Sequence, residues 1–372
     1  MDDLEPYERR VESATTSLGD FRTRLLRELD QRRGAFRWWA EFSDWKTLNM
    51  IADYLLQSLA GASEALVSAS FAAQTHRQAI VAYSEMLDAV WRQVGSTGAK
   101  DPQAYMDAVP NDAPSRTLRV QISNSAEQCF FHLGQSLDRL AAALFIVGGF
   151  ERRDVAGVYW TDITKRGGIL DELARAKPYK HPQVEPLDTA GRAIQAELLS
   201  PIRVLTEFGE PGWLEWLRET RNAMTHRPPA AKFDLMTRQR RIVRLFYREP
   251  KWSELQALIF GPAPTRELFD IFILRPSEDI LDGLCDSTTQ LTVALTEQMA
   301  ACWDTRKKRP ATIIQHGCQW PTVRPDFSST FAGYGEDLSL SVQADTVASN
   351  DLEGLRWSAA RVTDDRVRDW FR

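Results

Sequence analysis

The stretch WLEWLRETRNAMTHR occupies residues 213–227 and is followed directly by Pro228 and Pro229. Pro211 and Gly212 precede it, and both residue types commonly stand where helices begin or stop. Because proline cannot continue a helix, the stretch predicts a helix from Trp213 to Arg227 with His226 in its last turn. The apolar bulk of this helix comes from Trp213, Leu214, Trp216, Leu217 and Met224.

Neighbouring segments predict helices as well. Thr117 to Val147 carries apolar residues in one stripe at three- and four-residue spacing. Asp188 is placed to cap a helix that runs to Leu199, and Ser200-Pro201 is a typical helix start. Asp279 to Arg306 is a last long helix. The sequence therefore predicts a mainly α-helical protein with a helical bundle over residues 116–306.

Two further regions flank the bundle. Helical spacing precedes it in Tyr7 to Asp30 and in Trp38 to Gln93, where Gly61 predicts a break. Residues 95–115 are rich in Gly, Pro, Asp and Ser, which predicts a linker, so residues 1–110 form an N-terminal helical region. Residues 307–372 have little periodicity and are expected to form an irregular C-terminal extension.

A small β insertion is predicted inside the bundle, at about residues 238–275. Arg241 to Arg248 and Leu268 to Leu274 are rich in β-branched and aromatic residues, which favours two strands that pair with each other. Between Arg227 and Lys251 the chain has eight basic and two acidic residues, a local balance of +6. Such a patch can bind phosphates, although a half-buried strand with a solvated face gives the same pattern. The candidate RNA-binding residues are Arg227, Arg238, Arg240, Arg241, Arg244 and Arg248.

Composition limits the class of protein. The chain has 372 residues, 43% hydrophobic and 26% charged, and a net charge of -5, which fits a globular protein large enough for two domains. An acidic N-terminus lacks the pattern of a secretory signal, and the longest apolar run, Leu140 to Phe150, is shorter than a membrane span, so we expect a cytoplasmic protein with no membrane contact. Four scattered cysteines and the lack of nucleotide-binding motifs predict no metal and no cofactor.

The segment Arg221-Asn222-Ala223-Met224-Thr225-His226 resembles the R-x4-6-H motif of HEPN domains, in the form with Asn after Arg. The family's core is a bundle of about four helices, and the resemblance covers residues 116–306. It implies a metal-independent endoribonuclease that works as a homodimer, with Arg221, Asn222 and His226 as catalytic residues and RNA as substrate. Family members of this kind act as toxins or in antiviral defence, which implies an antitoxin or another regulatory partner.

The residue types suit that chemistry. Arg221 has a permanently charged fork that can hold phosphate oxygens, and His226 can transfer a proton near neutral pH. Asn222 lies four residues before His226 and shares its helix face. Arg221 lies about 140° from His226 on a regular helix. This angle suits a helix distorted near its proline-limited end or a site shared by two copies of the chain, and it favours the shared site. His132 and Asp138 are further candidates from a neighbouring helix.

Two other functions fit the same residues. The first is a non-catalytic HEPN-like binding module for nucleic acid or for a partner such as a nucleotidyltransferase. The second is a helical scaffold in which the Trp-rich N-terminal region docks another protein. In the scaffold, Arg221 would form an ordinary surface ion pair with Glu215 or Glu219 and His226 would have no role.

Overall fold

The protein is mainly α-helical, with one small antiparallel sheet. The computed structural model describes residues 4–30, 34–39, 45–98, 102–150, 154–174, 187–226, 233–236, 241–251, 253, 255–256, 260, 268–310 and 333–334. The helices with described bounds are α1 Pro6–Glu28, α2 Trp45–Ser96, α3 Pro102–Asp107, α4 Ala113–Gly148, α5 Trp160–Thr164, α6 Ile169–Ala174, α7 Leu187–Leu198, α8 Ser200–Arg203, α9 Trp213–His226 and α10 Ser277–Lys308. The predicted mainly α fold with a small β insertion is confirmed.

Two compact units divide the chain between them, and each takes part of α1, α2, α4 and α10. The first unit comprises Met1–Thr16, Ala62–Leu137 and Pro201–Ala294. The second comprises Ser17–Gly61, Asp138–Ser200 and Leu295–Arg372. Each unit thus combines three segments that are separated in the sequence. The sequence, in contrast, suggests the consecutive segments 1–110, 116–306 and 307–372.

The first unit has an apolar core built mainly by the second half of α2. Tyr83, Leu87 and Trp91 recur at helical spacing on its inner face, and all three are buried. Ion pairs connect the three segments of this unit. Arg77 Nε donates to Asp282 at 3.1 Å, and Arg10 pairs with the same carboxylate. The cluster consists of Ala79, Ile80, Tyr83, Leu87, Trp91, Ile122 and Ile242.

The second unit is centred on aromatic side chains. The ring of Trp303 on α10 makes edge contacts with Phe36 at 4.6 Å and Trp39 at 5.7 Å, and all three are buried. Trp303 Nε1 donates to Glu28 at 2.8 Å, which satisfies the indole inside the unit. Arg306 Nη1 donates to the carbonyl of Ile146 at 2.7 Å near the end of α4, where helix carbonyls lack partners. Trp39 and Trp303 therefore belong to a core rather than to a docking surface.

The sheet contains β1 Phe233–Met236, β2 Ile242–Tyr247 and β3 Phe272–Ile273, in the order β1-β2-β3 with antiparallel pairing. Pairing between the two predicted strand segments is confirmed. The second strand is shorter than predicted because its first residues, Leu268–Ile271, form a 3₁₀ turn. β1 is not predicted from the sequence, and it lies a few residues before the expected start of the insertion near residue 238.

The predicted helix break at Gly61 is also wrong, since α2 runs through this position from Trp45 to Ser96. Arg139 of α4 explains why a glycine is found there without a break. Its Nη1 donates to the Gly61 carbonyl, and a Cβ at Gly61 would lie 3.0 Å from the Arg139 Cδ. The glycine makes room for a neighbouring side chain and keeps helical geometry.

Residues predicted as linker or irregular also contain helices. α3 lies within the expected linker, and α4 already begins at Ala113. α5 was not predicted either, and its first turn is closed by Asp162, whose Oδ2 accepts from the backbone N–H of Tyr159 at 3.1 Å. Segments this short bury too few residues to leave a clear apolar period. The C-terminal extension lies mostly outside the described residues.

α4 contains a long apolar stretch. Of the residues that the structure describes, it forms the one helix that is long and apolar enough to cross a membrane by composition alone. In the apolar 18-residue part of α4 that meets this criterion, 72% is buried inside the protein. A core helix of a globular protein has the same properties.

Candidate functional site

The motif occupies the end of α9, in the first unit. The helix begins at Trp213, as predicted, and Trp213 Nε1 donates to the Leu205 carbonyl at 3.2 Å. One face of α9 is buried through Trp213, Leu217 and Thr220. Arg221 and Asn222 come directly after Thr220 in the sequence and are half-buried. His226 is the last residue of the helix. The three predicted catalytic residues thus lie within the last six positions of one packed helix.

Arg221 lies across Gly134 of α4. A Cβ built on Gly134 would be 2.8 Å from both Cδ and Nε of Arg221, closer than real Cβ contacts. Gly134 is itself buried. Any side chain larger than hydrogen at this position would therefore displace the arginine. Gly134 thus adjoins the candidate site, and it is not predicted from the sequence because nothing in the local sequence indicates which helix packs against α9.

An aromatic cluster holds α9 in place next to this contact. The Trp216 ring lies 5.7 Å from Phe130 of α4 and 5.9 Å from Phe246 of β2, both with tilted or edge geometry. Trp216 Nε1 also donates to the Tyr247 carbonyl at 3.1 Å. Phe130 and Gly134 are four residues apart and share a face of α4, so one face meets both Trp216 and Arg221. The position of Arg221 therefore depends on the packing of α4 and β2.

His132 and Asp138, the further candidates on α4, have local partners. His132 Nδ1 lies 3.2 Å from Gln135 Oε1, and its ring contacts Phe131 at 5.5 Å. Asp138 Oδ1 accepts from the backbone N–H of Trp160 at 3.0 Å within the second unit. This bond fixes the start of α5. Neither contact involves the motif.

Arg244 of the basic insertion is buried in an ion pair. Its Nε and Nη2 donate to the two oxygens of Asp234 at 2.8 and 3.0 Å, and Nη1 donates to Ser123 Oγ at 3.1 Å. The strand register explains the pairing, since Asp234 and Arg244 are directly opposite on β1 and β2. This geometry favours a structural role for Arg244 over contact with RNA.

The other basic residues of the insertion differ in their exposure. Arg248 is exposed, and its guanidinium donates to the carbonyls of Asp270 and Phe272 at 3.3 Å, which ties β2 to the turn before β3. Arg241 pairs with Glu278 at 4.0 Å and keeps 61% of its side chain exposed. Arg241 is thus the described residue of the basic patch best placed to meet a phosphate. Outside the described residues lie Arg227, Arg238 and Arg240.

His76 is a buried histidine that the sequence analysis did not single out. Its ring nitrogens lie 2.8 Å from the Ile122 carbonyl and 2.7 Å from Ser277 Oγ. Because a carbonyl only accepts, Nδ1 carries the proton and Nε2 accepts from the Ser277 hydroxyl. Burial lowers the pKa of His76 from 6.5 to about 4, against the opposing effect of the bond to Ile122. The ring is neutral near pH 7 and holds the start of α10 against α2 and α4.

No family model, curated protein or solved structure matches the chain. Within the described parts of the chain, no group of three or more His, Cys, Asp or Glu side chains is arranged to hold a metal ion. The interpretation of the site therefore depends on its own residues.

Proposed function

We propose that the protein is a metal-independent endoribonuclease of the HEPN type, with Arg221, Asn222 and His226 as its catalytic residues. The observation that carries the proposal is the Arg-Asn-x-x-x-His motif at the end of a packed helix, with Arg221 held against Gly134. A fixed arginine can meet a phosphate without first losing side-chain freedom. The buried aromatic contacts of Trp216 give the same helix a rigid base.

The proposed reaction is a transesterification. The ribose 2′-oxygen attacks phosphorus, the 5′-oxygen leaves, and the products carry a 2′,3′-cyclic phosphate and a 5′-hydroxyl. Arg221 stabilises the negative charge that builds on the phosphate oxygens during the attack. His226 transfers a proton at the 2′-oxygen or the 5′-oxygen, as imidazole does near neutral pH. Asn222 orients the substrate or the imidazole.

The complete site is proposed to form between two copies of the chain. On a regular helix, positions 221 and 226 point about 140° apart, so one helix cannot easily present both side chains to a single phosphate. A symmetric dimer brings position 221 of one protomer near position 226 of the other. RNA contacts outside the site fall to the basic insertion, for which the exposed Arg241 is the best described candidate.

The proposed biological role is that of a cytoplasmic toxin or antiviral-defence effector. An enzyme that cleaves cellular RNA harms the cell that makes it, so an antitoxin or another regulatory partner must restrain it. RNA is the proposed substrate, and the three residues alone do not select among RNAs.

A panel of single substitutions tests the proposal. The purified protein is incubated with total RNA in EDTA, together with Arg221→Ala, Asn222→Ala and His226→Ala. We expect losses of about 100-fold or more for Arg221→Ala and His226→Ala, and a smaller loss for Asn222→Ala. Arg218→Ala is the control, since Arg218 lies on the same helix but pairs with Glu219 at 3.2 Å.

Each outcome has a clear meaning. Cleavage that is lost in the two variants and kept in the control supports the nuclease. RNA binding without cleavage by the wild-type protein contradicts catalysis and favours a binding module. Equal cleavage by all variants would indicate a contaminating nuclease and overturn the assignment of the site.

A further inference from the structure

Two cysteines contact each other in the interior of the first unit. Cys129 on α4 and Cys285 on α10 have their sulfur atoms 3.9 Å apart, and both residues are fully buried. They are separated by 156 positions in the sequence. Of the three cysteines that the structure describes, these two are the pair in contact, because the Cys302 thiol lies in the second unit and donates to the Val147 carbonyl at 3.5 Å.

We propose that Cys129 and Cys285 form a redox site, in which a peroxide oxidises the two thiols to a disulfide that joins α4 to α10. One thiolate sulfur attacks a peroxide oxygen, which gives a sulfenic acid and releases the first water. The second sulfur then attacks the sulfenic sulfur, the S–O bond breaks, and a second water leaves. Two thiols lose two electrons and two protons, and one hydrogen peroxide is reduced to two waters.

The geometry requires only a small movement. A disulfide has its sulfurs about 2 Å apart, so the two atoms must approach by about 2 Å from their present contact. Rotation about the Cα–Cβ bonds moves a cysteine sulfur by distances of this size while the helices stay in place. A bond between positions so distant in sequence strongly restricts the unfolded chain. The oxidised protein should therefore be markedly more stable than the reduced one.

Burial determines how fast the site responds. The hydrogen bond with Cys285 and the lack of solvent raise the pKa of the Cys129 thiol well above its ordinary range. Asp282, one turn before Cys285, adds a negative charge that disfavours the thiolate. Oxidation therefore waits for transient opening of the interior, and reductants reach the finished disulfide equally slowly. The pair therefore changes only slowly between its reduced and oxidised forms.

The disulfide would act on α4, the helix that supports the motif. Cys129 immediately precedes Phe130, which packs on Trp216, and Gly134 follows one turn later under Arg221. A disulfide would fix α4 to α10 while its neighbouring face holds α9. The cross-link itself does not depend on the proposed nuclease.

The test uses the full chain treated with hydrogen peroxide in urea concentrations below its unfolding transition. Remaining thiols are blocked, and peptides are mapped by mass spectrometry without reduction. We expect a peptide pair joining positions 129 and 285, two fewer free thiols, and a rise in Tm of about 5 °C. Cys302→Ala should behave like the wild type, and Cys285→Ala should lose both the linked peptide and the gain in Tm.

Three results would overturn the proposal. The first is a disulfide that appears only above the unfolding transition. The second is a linkage of Cys129 to Cys302 or Cys318 in place of Cys285. The third is conversion of Cys129 to sulfinic acid with Cys285 still reduced. Should Cys285→Ala fold poorly, Cys129→Ala replaces it, and this variant should also lose the linked peptide and the gain in Tm.

Discussion

At the scale of single residues, the position of Arg221 depends on a hydrogen atom at Gly134. Glycine within a helix costs about 0.5–1 kcal/mol relative to alanine, so Gly134→Ala gains helix stability while its new Cβ displaces the arginine. We expect the free energy of unfolding to change by less than about 1 kcal/mol and RNA cleavage to fall by about tenfold or more. Denaturant titration and the cleavage assay measure the two effects separately.

Gly283 of α10 is a matched control for this substitution. It lies in the same unit, and a Cβ at Gly283 would meet nothing within 4 Å. Gly283→Ala should therefore stabilise the protein by about 0.5–1 kcal/mol and leave cleavage unchanged. Equal cleavage by Gly134→Ala and Gly283→Ala would show that the Gly134 contact does not position a catalytic arginine.

His76 makes the stability of the protein dependent on pH. Its pKa is about 4 in the folded protein and about 6.5 in the unfolded chain, so the unfolded state binds a proton first as the pH falls. The contribution of the neutral ring is fully present above pH 6.5 and is lost as the pH falls toward 4. We expect the free energy of unfolding to fall by about 1.4 kcal/mol per pH unit in this window.

Denaturant titrations between pH 7 and pH 4.5 measure this slope in the wild type and in His76→Gln. The glutamine variant can keep both hydrogen bonds but does not titrate, so its slope should be smaller by the amount assigned to His76. His132→Gln, at a half-exposed position on α4, controls for the substitution of a histidine by glutamine. Identical slopes in the wild type and His76→Gln would refute the assignment.

The sequence predicts some of these residues and not others, for a physical reason. Arg221, Asn222 and His226 are predicted as a site because their relation is a spacing along one helix. Gly134 and His76 are not found because their partners, Arg221 in one case and Ser277 in the other, are distant in sequence. Contacts of that kind depend on which faces meet, which a single sequence does not contain.

At the scale of elements, two arginines at strand β2 look equivalent in the sequence but differ in their burial. Arg244 is buried and pairs across the sheet with Asp234, whereas Arg241 is mostly exposed. Arg244→Ala leaves a cavity and an ion without its partner, and we expect a loss of about 3 kcal/mol in the free energy of unfolding. Arg241→Ala should cost less than about 1 kcal/mol.

RNA binding should distinguish the same two variants in the opposite way. Arg241→Ala should weaken binding and reduce the slope of log affinity against log salt by about 1, as expected when one phosphate contact is lost. Arg244→Ala should keep the wild-type slope under conditions where it remains folded. A salt slope that falls only in Arg244→Ala would mean that the ion pair opens to bind RNA.

The helices themselves were largely predictable because the burial of one face imposes a period on the sequence. α1, α4, α7, α9 and α10 match the predicted segments to within a few residues. The break at Gly61 was wrong because the space beside this glycine is filled by Arg139, a contact from another helix. β1 was missed because a strand of four residues has too short an alternation to recognise.

At the scale of the whole molecule, the proposed site requires two protomers. Arg221→Ala and His226→Ala chains are each expected to be inactive alone. If Arg221 of one protomer works with His226 of the other, a mixed dimer contains one intact site and one doubly damaged site. An equal mixture should therefore recover about a quarter of wild-type cleavage after subunit exchange, since half of the dimers are mixed.

Sedimentation and an activity assay on the same mixture check this prediction. The dimer should be visible at the concentrations at which cleavage is measured. A mixture that exchanges subunits but stays inactive would place both residues in a site within one protomer.

The most direct test of the central claim compares an RNA with its 2′-deoxy counterpart at a mapped cleavage position, with EDTA present. Our account predicts that the wild-type protein cleaves the RNA to a 2′,3′-cyclic phosphate and a 5′-hydroxyl, and leaves the deoxy substrate intact. The double variant Arg221→Ala, His226→Ala should cleave neither. Cleavage of the deoxy substrate, or product ends without a cyclic phosphate, would contradict attack by the 2′-oxygen and the roles assigned to Arg221 and His226.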